Sequence, residues 1–336
     1  MGIDLPLIWA GIIGFGLMMY VIMDGFDLGI GILFPFVRNR AERDTMVNSI
    51  APVWDGNETW LVLGGAAMLA AFPLAYSMLL SAFYLPLMSM LAGLIWRGVS
   101  FEFRFKASES RKPFWDRAFS AGSYVAAFFQ GIALGAFING IQNDGQTFTG
   151  GALDCFTPFT IFTGAGVVVA YSLLGSTWLV MKTSEALQIR MRDLSVWIAI
   201  ALLAAIFIVS AWTPFIHPGI ANRWFGAWNF LYFAPVPLLV FGSTWLQVRI
   251  LQKRDPGAMP FVLSLFMIFL GYSGLAISMW PNIIPPSISI WDAAAPAESM
   301  GFALVGTLFI LPFILMYTTW SYYVFRGKTQ QGEGHH

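Results

Sequence analysis

Charge is what this chain has least of. Only 11% of its 336 residues are Asp, Glu, Lys or Arg, while 57% are hydrophobic. A soluble domain carries roughly 25% charged residues. Less than half of that cannot cover a water-soluble particle of this size, so the composition points to an integral membrane protein. The 18 basic and 18 acidic residues cancel, which removes the broad basic surface that a nucleic-acid partner requires. Cysteine is nearly absent. Cys155 stands alone, which excludes an intrachain disulfide and a thiolate metal cluster. Histidine is almost as scarce, with 3 in all. The terminal pair His335 and His336 is left out of site reasoning, so His217 is the single internal one. A haem inside a membrane bundle is normally held by histidine, sometimes with methionine, so this chain cannot supply two axial histidines. The 16 methionines read as packing residues. No Gly-rich phosphate loop, HExxH pair or Cys pair is present, and no complete catalytic set or metal site is expected in this chain alone.

What is present is a series of apolar stretches. A spanning helix takes roughly 20 mostly apolar residues. Nine such stretches read off the sequence, at about 6–35, 54–74, 77–102, 118–141, 157–182, 194–215, 225–248, 259–280 and 300–325. The first is too long for a signal peptide and has no basic flank ahead of it. Of the 18 Lys and Arg residues, all but Arg97 and Arg223 fall in alternate loops or after the last stretch. The positive-inside rule makes that side cytoplasmic, with the N-terminus outside and the C-terminus inside. Residues 1–328 read as a single polytopic membrane domain and 329–336 as a disordered tail. Pro235, Pro237 and Pro312 read as lying inside spans, where proline is tolerated. Asn48 or Ser49 reads as the N-cap of the second span.

The informative residues are the charges inside the membrane, each of which costs about 2.5–3.5 kcal/mol on insertion scales. Asp24 and Asp27 lie in MDGFDLGIG, and Asp55 and Glu58 in APVWDGNETW. Both pairs have i, i+3 spacing, which sets each on one helix face. Arg97 and Glu102 lie in IWRGVSFEFR. With the topology above, five carboxylates and one guanidinium gather near the cytoplasmic side. Carboxyl groups held together out of water can exchange protons near neutral pH; a bound cation or simple pairing with Arg97 are the other readings of the cluster. Trp54 and Trp60 flank it and can either shield it or anchor the interface. Gly25 and Gly29 form a small-xxx-small pair on the span that carries both aspartates, which lets a neighbouring helix come close.

These segments resemble a family. MDGFDLGIG, NSIAPVWDGNETWLV and RGVSFEFR are similar to subunit II of cytochrome bd-type quinol oxidases, and the style is similar to the cyanide-insensitive branch. The resemblance implies an all-α fold of nine transmembrane helices, arranged as two four-helix bundles and one peripheral helix. It implies a partner, subunit I, that carries the quinol site, two b haems and a d haem. Such an oxidase is a terminal oxidase of a respiratory chain in the bacterial inner membrane. It transfers electrons from quinol to oxygen, draws protons from the cytoplasm and is electrogenic without pumping. Residue by residue, the family's proton route matches Asp24, Asp27, Asp55 and Glu102, with Asp55 and Glu102 outermost. Asn57, Trp54 and Arg97 match supporting positions, and Trp60 borders a region through which some members admit oxygen from the membrane lipid. Some members also bind a structural quinone in this subunit or add small single-span subunits. A proton-coupled membrane transporter is the alternative reading, but transporters often show internal repeats and place their acids at the midplane. Neither feature is evident here. A passive assembly subunit without chemistry is a third.

Overall fold

The computed structural model describes residues 3–226 and 228–329. The chain is helical almost throughout. In order it forms α1 (Leu5–Leu33), α2 (Arg40–Asn48), α3 (Trp54–Ala71), α4 (Pro73–Ala82), α5 (Tyr84–Lys106), α6 (Lys112–Asn139) and α7 (Pro158–Lys182). Then follow α8 (Glu185–Ile216), α9 (Pro218–Phe225), α10 (Asn229–Phe233), α11 (Pro235–Leu251), α12 (Met259–Met279) and α13 (Ala297–Val324). Between α12 and α13 two short strands, β1 (Asn282–Ile284) and β2 (Ile288–Ser289), pair antiparallel.

Among the described residues, eight helical segments are long and apolar enough to cross a membrane. The sequence reading of nine is corrected at the second stretch. There α3 has 18 residues and opens with Asp55 and Glu58, so its polar first turns keep it below that threshold. It ends at Phe72, where Pro73 starts the separate helix α4. The third stretch begins inside α4 and continues as α5. Pro235 and Pro237 lie inside the crossing segment Asn229–Leu251, at the start of α11, where a missing N–H costs little. Prolines do lie inside α8, at Pro214, and α13, at Pro312. The loop before α3 holds the unforeseen helix α2, which ends with Asn48; Val53, not Asn48 or Ser49, precedes α3 as its cap. The expected tail starts at Thr329, whose N–H donates to the Lys182 carbonyl at 2.8 Å; residues 330–336 lie outside the described residues.

Packing follows the small residues. Helices α1, α3, α5 and α6 form one group, and α7, α8, α11 and α12 a second, with α1 and α7 joining them. A Cβ on Gly29 of α1 would sit 1.8 Å from the Tyr171 carbonyl of α7, and one on Gly175 would sit 2.6 Å from the Ile30 nitrogen. Only hydrogen fits at this crossing. Gly93 and Gly122 do the same between α5 and α6: a Cβ on Gly122 would meet the Arg97 nitrogen at 2.7 Å. Helix α13 is peripheral; only 6% of its most apolar window is buried. The multiple apolar helices make this a multi-pass membrane protein.

The loops that carry most of the Lys and Arg residues lie at one end of the bundles, here called the basic end. Helix α2 is fastened there by ion pairs. Arg43 reaches Asp116 at 2.8 Å, Arg104 reaches Asp116 at 2.6 Å and Asp44 at 2.7 Å, and Arg190 reaches Glu42 at 2.6 Å. At the opposite end Arg223 donates to the Ile277 carbonyl at 2.9 Å and to the Trp280 carbonyl. A cation at the C-terminus of α12 suits the carbonyl-rich end of a helix.

Candidate functional site: a buried guanidinium among carboxylates

Residues 23–33 of α1 are buried on every face, enclosed by α3, α6 and α7. Both aspartates of α1 lie in this stretch, and each is 0% exposed. Arg97 enters from α5 and is 1% exposed. One of its terminal nitrogens lies 2.8 Å from Asp24 Oδ1 and 3.8 Å from Asp27 Oδ2. The other lies 2.6 Å from Glu58 Oε1. Three carboxylates from two helices therefore share one guanidinium carried by a third. The cation position at the centre of the acids is filled by Arg97 itself. Its Cζ also stands 5.5 Å from the Trp54 ring centroid, within cation–π range.

Asp27 has a second anchor. Asn57 Nδ2 donates to Asp27 Oδ2 at 2.7 Å and to the Met23 carbonyl at 3.3 Å. Asn57 Oδ1 in turn accepts from the Tyr322 hydroxyl at 2.8 Å. The network is nonetheless incomplete. Asp27 Oδ1, Arg97 Nε and Trp60 Nε1 are buried with no hydrogen-bond partner, while the Tyr20 hydroxyl lies against Asp24. Buried polar atoms are normally paired, and a functional site is where exceptions accumulate.

The structure divides the residues singled out from the sequence. Asp24, Asp27, Glu58 and Arg97 come together, with Asn57, Trp54 and Trp60 around them. Asp55 and Glu102 do not join; both are exposed. The reason is helical phase. Glu102 follows Arg97 by five positions, which turns it about 140° away, and Asp55 lies about 60° around α3 from Glu58. Both point from the helix faces that also expose Val62 and Val99. Sequence reasoning missed Tyr322, Asp116 and Glu42. Tyr322 gave no local signal, since Asn57 lies far away in sequence; Asp116 and Glu42 carried one, as acids beside basic loops.

No group of three His, Cys, Asp or Glu side chains with metal-binding geometry occurs among the described residues. His217, the single histidine there, caps the end of α8 away from the basic end.

Fold and site first define a class: a polytopic all-α membrane subunit with a charged centre near one end. The comparisons specify it further. A family described as Cytochrome bd terminal oxidase subunit II matches residues 5–325. The cytochrome bd-I ubiquinol oxidase subunit 2 of Escherichia coli K12 is 30% identical, over 96% of this chain and 95% of its own length. The cytochrome bd ubiquinol oxidase subunit 2 of Bacillus subtilis is 28% identical, over 94% of each chain. A chain in the structure of bd oxidase from Geobacillus thermodenitrificans superposes with a TM-score of 0.77 at 16% identity, covering 96% of this chain and 97% of that one. This last likeness concerns the fold. The chain belongs to the cytochrome bd terminal oxidase subunit II family and is one subunit of a terminal oxidase.

Proposed function

We propose that this chain stabilises a haem-bearing subunit I of a bd-type quinol:oxygen oxidoreductase and supplies the protons that oxygen reduction consumes. The observation that carries the reading is the buried Arg97 shared by Asp24, Asp27 and Glu58 near the basic end. Charges this deep in a membrane protein are costly and normally functional.

The haems, two of type b and one of type d, belong to subunit I. The described residues do not fit a haem: His217, the single histidine among them, lies at the far end of α8 and makes no axial pair. What this chain supplies is proton chemistry. The basic end faces the cytoplasm of a bacterium, with the N-terminus outside. Exposed Asp55 and Glu102 take up protons there, and half-exposed Glu58 stands next inward. Asp24 and Asp27 are the deep acceptors: Asp27 Oδ1 has no donor, and the Tyr20 hydroxyl lies against Asp24. Arg97 stays protonated. It carries no proton; it keeps the carboxylates in the bundle and fixes their spacing. Quinol and oxygen are the substrates of the assembled complex.

Asp24→Asn and Asp27→Asn test the route in the complete oxidase. Each should slow quinol-driven oxygen consumption by about a hundredfold or more, the scale on which a positioned proton carrier contributes, while the reduced-minus-oxidised haem spectrum survives. Full turnover in both variants would remove the relay role.

A further inference from the structure

Helix α13 is the least buried of the long helices, yet its last turns reach into the charged centre. Tyr322 is the residue that does so. Its hydroxyl donates to Asn57 Oδ1, and Asn57 donates to Asp27. The orientation of the Asn57 amide is fixed by chemistry: the Met23 carbonyl can only accept, so Nδ2 must face it and Oδ1 must face Tyr322. Tyr322 is held by its own surroundings. Its ring meets the Phe26 and Trp178 rings edge-on, with centroids 6.4 Å and 6.1 Å away, and those two rings stack at 4.2 Å.

The chain just past Tyr322 is tied to α7. Lys182 Nζ donates to the Phe325 carbonyl, and to the Gly327 carbonyl at 3.1 Å. The Thr329 N–H returns the bond to the Lys182 carbonyl at 2.8 Å. Lys182 Nζ also lies 5.1 Å from the Trp178 ring centroid. A lysine on the second bundle thus clamps the end of α13, and α13 delivers a hydroxyl to the first bundle.

We infer that Tyr322 is a positioning residue for Asp27: clamped by Lys182, it locks the Asn57 amide so that Asp27 Oδ2 is permanently occupied and only Oδ1 is free to exchange a proton. The chain Tyr322–Asn57–Asp27 is a brace and not a wire. An amide passes a proton only through its imidic tautomer, which this arrangement does nothing to favour. Without the hydroxyl, Asn57 Oδ1 is left buried without a donor, and the amide is held only by its Met23 and Asp27 contacts. The Asn57–Asp27 hydrogen bond then weakens, and the geometry of Asp27 toward Arg97 loosens. The inference rests on the proton-supply reading above for its effect on turnover, but not for its effect on Asp27 itself.

The test uses Tyr322→Phe in the assembled oxidase, with Lys182→Met as the second variant. The haem spectrum reads assembly. The infrared C=O stretch of protonated Asp27, identified by its loss in Asp27→Asn, reads the brace directly. Tyr322→Phe should move that band and slow oxygen consumption about fivefold, the effect of one lost hydrogen bond. Lys182→Met should move the band the same way with a smaller rate effect, and it carries the test if Tyr322→Phe assembles poorly. A shifted band with unchanged turnover in both Asp27→Asn and Tyr322→Phe keeps the brace and removes the proton route. An unmoved band in an assembled variant overturns the inference, whatever the rate.

Discussion

The two helix groups carry polar centres of opposite chemistry at the same end. In α1, α3 and α5 the centre is ionic: Asp24, Asp27, Glu58 and Arg97. In α7, α8, α11 and α12 it is neutral. There Gln247 Nε2 donates to Ser264 Oγ at 2.7 Å, Ser264 Oγ and Thr177 Oγ1 lie 3.1 Å apart, and Ser195 Oγ donates to Ser176 Oγ at 2.8 Å. Both sets lie within about three turns of the basic end of their helices. The neutral centre leaves Gln247 Oε1 unpaired, whereas the ionic one leaves Asp27 Oδ1 and Arg97 Nε so, with the Tyr20 hydroxyl against Asp24. Hydroxyl and amide pairs are an economical way to join helices in a membrane. An ionic centre is not, because desolvation offsets much of the attraction. A fold that needed only cohesion would have used the neutral solution twice. The ionic centre is therefore where the proposed proton chemistry is placed.

Substitutions can break this contrast. The largest effect is expected for Arg97→Met, which strands the buried carboxylates without a cation. The loss should be about 3–5 kcal/mol, seen as little assembled complex and a lowered melting temperature; adding Asp24→Asn to the same chain should restore part of it. Next comes Gly29→Ala at the crossing that joins the two groups. Its methyl has no room beside the Tyr171 carbonyl, so α1 and α7 must part at about 1–3 kcal/mol, measurable by thermal unfolding of the complex. Ser264→Ala in the neutral centre should cost about 1 kcal/mol and leave turnover unchanged. Equal loss of turnover there and in Asp27→Asn would erase the distinction between the centres.

The smallest effect lies outside the membrane, in the loop after α6. Asp144 accepts from the Thr147 and Gln146 N–H groups and from the Thr147 hydroxyl. These bonds hold its carboxyl below the usual carboxylate range. The sign follows: a lowered value means that its contribution is complete at neutral pH. It is lost only as the pH falls through that lowered value. Amide exchange at Thr147 should stay slow relative to an Asp144→Asn variant at neutral pH, with the difference vanishing in strong acid.

Much of the architecture was legible because membranes impose simple rules. Apolar length marked the spans, and alternation of Lys and Arg grouped their ends. The acids of α1 were legible because i, i+3 spacing on one helix is a local property. Phase between helices is not local. The sequence treated Asp55 and Glu58 as one face, yet only Glu58 meets Arg97, because α3 presents that edge to the guanidinium. Glu102 looked like a neighbour of Arg97 and points elsewhere on α5. Tyr322 could not be found at all, since nothing in α13 announces a partner on α3. Helix α2 was hidden for another reason: it is short and held by ion pairs to α5, α6 and α8 beside buried Met46 and Val47, with no long apolar run.

The most direct test of the account is proton uptake after an oxygen pulse, in vesicles holding the complete oxidase with its basic end facing the probed compartment. In the unmodified complex, uptake from that compartment should keep pace with electron transfer. In Asp27→Asn it should lag by about a hundredfold or more while the haems still become reduced by quinol. Uptake at the unmodified rate in that variant would contradict the central claim, and the ionic centre would then be a structural feature only.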